Sequence, residues 1–237
     1  MKVAIVGMGR MGRAVEAVAL ARGHDVVARI DMNGDTDGRP LTESIRATRP
    51  DVAIEFTQPG TAKANVAVLL DLRVPVVCGT TGWQSAEIEP LTLQTGTPVL
   101  VAPNFSIGVA VMKRLARLAA TALRAFPEFE PAMVERHHKA KLDAPSGTAR
   151  MLADTVAQAA GLDNVPVAAL RHGGQPGEHT LIFEGQAETL TICHQARSRE
   201  IFALGAVRAA EWIVEQKPQG LIDFDAFLER TGTWKTA

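Results

Sequence analysis

The chain of 237 residues is poor in cysteine, in net charge and in long apolar runs, and each shortage narrows what it does. Its two cysteines, Cys78 and Cys193, lie far apart without partners at metal-ligand spacing, which argues against a disulfide scaffold and a zinc site. Both have apolar neighbours and are expected to be small buried side chains in a reducing compartment. The 25 Lys and Arg are offset by 26 Asp and Glu, for a formal net charge of -1. Nothing global therefore draws the chain to nucleic acid or to a membrane surface, and any basic cluster must act locally. No segment approaches the ~20 apolar residues of a membrane span. The apolar run after Met1 is too short for a signal sequence and meets glycines instead of a cleavage site. A cytoplasmic protein is expected. There is neither an internal repeat nor a low-complexity stretch. What remains is 46% hydrophobic and 22% charged, the balance of a globular chain with a core.

The first half alternates short β-rich runs with helical ones. "KVAIVG", "DVVARID", "DVAIEFT", "VPVVCGTTG" and "PVLVAPNFS" read as strands, with helices at Gly12 to Arg22 and Thr61 to Leu72. Strands alternating with helices imply βαβ units on a parallel sheet, and nearly continuous apolar strands imply a sheet covered on both faces. From Ile107 the pattern changes. A long helix to Phe126, a strand ending at His138 and a helix from Ser146 to Gly161 are followed by four strand-like runs, the last being "EIFALGAV". This reads as a second, α+β domain on a mixed or antiparallel sheet. A helical tail from Arg208 is expected to return to the first domain. The division is therefore residues 1–106 with 208–237 for one domain, and 107–207 for the other. Binding and chemistry then fall on different domains, with closure expected about hinges near Ile107 and Gly205–Arg208.

"GMGRMG" supplies Gly7, Gly9 and Gly12 in G-x-G-x-x-G spacing after a strand and before a helix. In that context the pattern marks a dinucleotide site. Gly7 makes the turn, Gly9 admits the pyrophosphate and Gly12 lets helix and strand pack closely, with the helix N-terminus facing the phosphates. Asp31 ends the second strand and is placed to accept hydrogen bonds from ribose hydroxyls. A 2′-phosphate would meet its charge, and Met32 follows where a basic residue would have compensated. NADH is therefore expected over NADPH. "CGTTG", "APNFS" and "EFTQP" form further strand ends of the kind that line ligands in such sheets.

The stretch "ERHHKAKLDAPSGTAR", Glu135 to Arg150, concentrates titratable chemistry. His137 and His138 close a strand, where adjacent side chains point to opposite faces. Lys141 lies in the loop beyond. Pro145 suits a first helical turn, and Ser146 or Thr148 suits a cap. A helix start of Ser146, Gly147 and Thr148 beside histidines and a lysine suits an anionic group, with proton donors at hand. A zinc site is the weaker reading, because adjacent histidines lack metal-ligand spacing and no Cys or Glu cluster completes the set.

These residues carry a resemblance. "VAIVGMGRMGR", "EFTQPGT", "VPVVCGTTGW", "APNFSIGV", "ERHHKAKLDAPSGTA", "GEHTLIF" and "FALGAVRAAEWI" resemble, in order and over nearly the whole chain, the dihydrodipicolinate reductase family. The resemblance implies a Rossmann-like domain with a second domain. It also implies reduction, with NADH or NADPH, of the cyclic product of aspartate semialdehyde and pyruvate to tetrahydrodipicolinate on the diaminopimelate route to lysine. It assigns acid/base roles to His137 and Lys141, and substrate contact to His138, Gly147 and Thr148. It assigns cofactor contact to Gly7, Met8, Gly9, Arg10, Met11 and Gly12, to Asp31, to Gly79, Thr80 and Thr81, and to Ala102, Pro103, Asn104 and Phe105. It further implies a homotetramer assembled through the second domain's sheet and, among ligands, a small dicarboxylate. The glycine loop is one residue shorter than in many relatives and the Asp31–Asp51 segment is short, leaving Arg39 within reach of a 2′-phosphate. Two other readings stand beside this one: a different two-domain NAD-dependent dehydrogenase acting on a small amino or sugar acid, and a dinucleotide sensor without catalysis.

Overall fold

The computed structural model describes residues 1–231, and the last six positions of the expected tail lie outside the described residues. The chain forms two units, Met1–Ser106 with the segment from Glu200, and Ile107–Arg199.

The first unit contains β1 (Lys2–Val6), α1 (Arg10–Ala21), β2 (Asp25–Ile30), α2 (Leu41–Thr48), β3 (Val52–Glu55), α3 (Pro59–Asp71), β4 (Val76–Cys78), a 3₁₀ turn (Ser85–Ile88), α4 (Glu89–Thr95) and β5 (Val99–Val101). Its six-stranded sheet is parallel throughout, and the chain's later β10 (Leu221–Ile222) extends it beside β5. The order is β10-β5-β4-β3-β1-β2. The chain leaves β1 toward one edge for β2, then crosses to the other side for β3, so β1 and β3 bound the switch point where such sheets bind ligands. Val3 to Ile5, Val52 to Ile54, and Val76 and Val77 are fully buried. That is why these strands read as unbroken apolar runs: both faces are covered. Fully burying a side chain such as Ile54 contributes about 1.5–3 kcal/mol.

The second unit runs α5 (Ile107–Leu123), β6 (Glu130–His137), α6 (Gly147–Ala160), β7 (Val167–Arg171), β8 (Gly177–Glu184) and β9 (Thr189–Ala196). Its sheet order is β7-β6-β8-β9, with β6 and β7 parallel and the other pairs antiparallel. The strands alternate cleanly. Met133, Glu135 and His137 on β6, and His179, Leu181 and Phe183 on β8, are buried. The apolar members of that set pack with Met112, Ala116, Leu152 and Val156 of the two helices. The opposite sheet face, including Val134, Leu170, Thr180 and Ile182, is not buried.

Five expectations need correction. "EIFALGAV" is not a strand: it opens α7 (Glu200–Gln216), a helix that buries Ala203, Gly205, Ala206, Val207, Ala209, Ala210, Trp212 and Ile213. The return to the first unit therefore falls at Glu200 and not at Arg208. Gly205–Arg208 cannot be a hinge, because it sits inside this helix; Gly205 is there for close approach, since a Cβ would lie 1.8 Å from the Phe105 carbonyl oxygen. Beyond α7 the tail is not one helix: it breaks at residues 217–220, forms β10, and resumes as α8 (Phe224–Thr231). Finally, Cys78 is buried as expected, but Cys193 is exposed.

Candidate active site

In the first unit the glycine loop builds a cleft. Gly7 leaves β1 at φ +97°, and a Cβ there would lie 2.1 Å from the Phe56 carbonyl oxygen. At Gly12 a Cβ would lie 2.0 Å from the Gly7 carbonyl oxygen, so the close seating of α1 on β1 requires its absence. Gly9 faces open space within 4 Å of its missing Cβ. It also caps α1 without a side-chain bond, and the first turn holds no acid. The free amides of that turn are left for an anion. The adjoining cavity, of about 550 Å³, is walled by Gly7, Gly9, Asp31, Met32, Thr57 and Thr61 among others. The Asp31 carboxylate is exposed at the rim and accepts the Met32 N–H at 3.0 Å, while Asp31 and Gly34 exchange backbone bonds that close the turn beneath it. These residues fit a dinucleotide: amides for the pyrophosphate and a carboxylate for a ribose. Arg39 is engaged elsewhere, donating to Asp35 at 2.8 Å and pairing with Asp37.

The floor of this region is polar and organised by one side chain. Glu55, fully buried at the end of β3, accepts from the Thr80 hydroxyl at 2.7 Å and the Cys78 thiol at 3.1 Å. Its other oxygen takes the Thr57 hydroxyl. The Thr80 hydroxyl in turn accepts the Thr57 N–H at 2.7 Å. Burial, with the Glu55 charge beside it, pushes the Cys78 thiol far up, so it stays protonated.

Of the residues assigned to the cofactor, Gly7, Gly9 and Asp31 line the cavity, whereas Met8, Arg10, Met11, Gly12, Gly79–Thr81 and Ala102–Phe105 are not in its wall. Ala102 and Phe105 are buried, and the Phe105 ring packs edge-on to Phe56 and Phe224. Only main-chain groups of these two could reach a ligand. Pro103 is exposed, and the Asn104 side chain accepts the Ser106 N–H at 2.8 Å. Met32, Gln58, Thr61 and Asn65 also line the cavity and were not anticipated individually. "EFTQP" pointed at Phe56 to Gln58, and helical spacing from Thr61 to Asn65 was the remaining signal.

In the second unit the histidine-lysine stretch surrounds a buried carboxylate. β6 ends at His137, which is 6% exposed, while His138 lies just past the strand and is half-buried. Glu135, two residues before His137 and on its face, is fully buried. Its Oε1 accepts the Ser146 N–H at 2.9 Å and an Arg171 N–H at 2.6 Å. Its Oε2 lies 3.2 Å from His137 Nδ1 and 3.8 Å from His179 Nε2, without an aligned hydrogen bond. Burial alone would raise the Glu135 carboxyl, but the bonds from Ser146 and Arg171 win and hold it below its ordinary value. Burial lowers His137, against the opposing pull of Glu135. Burial and the neighbouring His137 lower His179 further, to about 4. Both rings are therefore neutral near pH 7. Lys141 follows a turn closed by its N–H to the His138 carbonyl, and its ammonium meets the Asp143 carboxylate at 2.7 Å. That bond and the Lys141 charge, helped by the backbone N–H groups of Asp143 itself and of Gly147, hold Asp143 below the usual carboxylate range against the opposing effect of its burial. Ser146 caps α6, accepting the Ala149 N–H at 3.1 Å, and Pro145 precedes the cap instead of lying in the first turn.

The structure thus brings His137, Lys141, Ser146 and Gly147 to one end of the second sheet. Glu135, Arg171 and His179 join them, and they were not anticipated. Period-two alternation placed Glu135 beside His137, but only strand register brings Arg171 and His179 to the same point: His137 opposes Arg171, and Glu135 opposes His179. Glu135, His137 and His179 also offer three ligand atoms within 4.8 Å of one another, as a metal site would. The Arg171 guanidinium on the same carboxylate already supplies the positive charge a cation would bring.

A glycine-loop cleft at the switch point of a parallel sheet, in a chain with a separate unit rich in proton donors, defines a class: an NAD(P)H-dependent oxidoreductase. Comparison with known proteins is specific. Models of the dihydrodipicolinate reductase N-terminus and C-terminus match residues 1–105 and 108–228. The 4-hydroxy-tetrahydrodipicolinate reductase of Archaeoglobus fulgidus is 36% identical, over 97% of this chain and 100% of its own. That of Natronomonas pharaonis is 37% identical over 95% and 99%. A dipicolinate-bound dihydrodipicolinate reductase from Paenisporosarcina sp. TG-14 superposes with a TM-score of 0.78 at 25% identity, covering 94% of this chain and 97% of that one. The chain belongs to the dihydrodipicolinate reductase family, and its activity is that of a 4-hydroxy-tetrahydrodipicolinate reductase.

Proposed function

We propose that the two halves of the reduction are divided between the two units: the first holds the nicotinamide dinucleotide, and the second holds the cyclic dicarboxylate made from aspartate semialdehyde and pyruvate and handles its protons. The observation that carries this reading is the meeting, at one end of the second sheet, of a buried histidine, a lysine and the start of a capped helix. Once the 4-hydroxyl of the substrate has left as water, the bound dinucleotide would supply a hydride to ring C4. Gly147 and Thr148 hold one substrate carboxylate through the amides at the start of α6, and His138 contacts the substrate. Lys141 donates the proton that the reduced ring must take up, and His137, neutral at rest, acts as the acid/base group that accepts and passes protons. In the structure Asp143 occupies Lys141 and faces the Gly147 N–H. A substrate carboxylate would take over both contacts.

For the cofactor we favour NADH over NADPH. The exposed Asp31 at the cavity rim repels a 2′-phosphate, and Arg39 is held by Asp35 and Asp37. The open outer face of the second sheet supports a homotetramer assembled through it. An exposed Cys193 thiol beside no second cysteine suits a reducing cytoplasm. Among the described residues no helix is long and apolar enough to cross a membrane.

The test is an assay with freshly condensed aspartate semialdehyde and pyruvate, following the loss of NADH absorbance, repeated with NADPH. His137→Gln and Lys141→Ala are each expected to lose roughly 10²- to 10⁴-fold in kcat with NADH binding kept. Full turnover in either variant removes that residue's role.

A further inference from the structure

The Glu135 carboxylate is divided between two tasks. Oε1 is saturated by the Ser146 N–H and Arg171. Oε2 has no hydrogen-bond partner, and neither has His137 Nδ1, although the two buried atoms stand 3.2 Å apart. A carboxylate retained only to hold the fold would have both oxygens satisfied, because an unmet buried acceptor is costly. Here the unmet acceptor faces the imidazole assigned to proton transfer. The ring has little freedom elsewhere: on its far side a Cβ at Gly177 would lie 2.9 Å from Nε2, and the His179 ring packs edge-on with centroids 5.1 Å apart.

We propose that Glu135 is the positioning residue of the proton-handling site, accepting the Nδ1 proton of His137 on Oε2 while tying that histidine, through Ser146 on Oε1, to the start of the helix that binds the substrate carboxylate. The proposal rests on the reading of His137 and Gly147–Thr148 given above. It explains why an acid sits two residues before the histidine on the same strand face. One side chain fixes the ring's tautomer, leaving Nε2 as the nitrogen that exchanges protons. It also supplies the charge that stabilises the imidazolium when it forms. His137 reaches the neutral state under several fields. Glu135 and Asp143 favour its protonation, Lys141 and Arg171 oppose it, and His179 lies against it with His194 acting on His179 in turn.

Glu135→Gln keeps the shape and an acceptor for Ser146 and Arg171 but puts an NH2 group, which only donates, where Oε2 faced His137 Nδ1. In the coupled assay its kcat is expected to fall about 100-fold, the lower end of what general acid–base catalysis contributes, with KM little changed and NADH binding intact. Removing a carboxylate that favours the imidazolium also moves the limb of the pH–rate profile set by His137 to lower pH. Wild-type kcat with an unmoved limb overturns the proposal. A second measurement needs no variant: nitrogen NMR of the histidine-labelled wild-type protein should place the proton of neutral His137 on Nδ1, and a proton on Nε2 overturns the proposal even where the variant does not fold. His137→Gln separates the two levels. If it keeps full turnover, the acid/base reading falls; if it is inactive while Glu135→Gln behaves as wild type, only the positioning role falls.

Discussion

Replacing Glu55 by Gln tests whether the buried carboxylate under the nucleotide cleft holds that region together. The side chain is fully buried and faces donors only: the Thr80 hydroxyl and Cys78 thiol on one oxygen, the Thr57 hydroxyl and the more distant Asn65 amide on the other. A glutamine offers one acceptor and one NH2, so in either orientation one pair of donors meets a donor. Hydrogen bonds to charged groups contribute roughly 1.5–3 kcal/mol, and relief of the buried charge offsets part of the loss. A net destabilisation of about 2 kcal/mol lowers Tm by roughly 4–8 °C in a chain of this size. Calorimetry or circular dichroism reads the Tm. NADH titration by fluorescence should show weaker binding as well, because Thr57 lines the cavity. An unchanged Tm refutes the reasoning. So does a raised one, which would mean that burying the charge costs more than its four neighbours return.

Three further outcomes are expected. Gly12→Ala puts a methyl 2.0 Å from the Gly7 carbonyl oxygen, so the glycine loop must shift and NADH titration should show binding largely lost. Asp31→Ala removes the rim charge, and the ratio of kcat/KM with NADPH to that with NADH should rise; an unchanged ratio removes Asp31 from cofactor choice. Stability should fall in acid. The unfolded chain takes up a proton on His179 near pH 6.5, which the folded ring refuses until about 4. Folding therefore loses stability as pH drops through that window, by up to ~3 kcal/mol. The lowered His137 and His194 act in the same direction, and His179→Asn should flatten the dependence in urea melts.

The first unit was largely legible because its strands are buried on both faces and Gly7 and Gly12 are fixed by contact with backbone, both of which leave marks in sequence. The run Glu200 to Val207 was misread for the same reason. α7 is buried around much of its circumference, so it lacks the polar stripe that distinguishes a helix from a buried strand. α2, α4 and the two-residue β10 are too short to show a period. In the site, the Ser146 cap and the grouping of His137, Lys141 and Gly147 were readable because they lie within one stretch. Arg171 and His179 were not: they reach Glu135 only through the pairing of β7 and β8 with β6, a register that local sequence does not encode.

The first unit's dependence on α7 and β10 bears on how the chain is made. At roughly 5–20 residues per second, a ribosome that has finished Ser106 needs about 6–23 s more to reach Ile222. Through that interval β5 lacks its outer neighbour β10 and the face that α7 covers stays open. The unit Ile107–Arg199 is contiguous and emerges whole before the other can close. The half translated first is thus the half completed last, and a nascent chain stalled short of Glu200 carries a finished second unit beside an open parallel sheet.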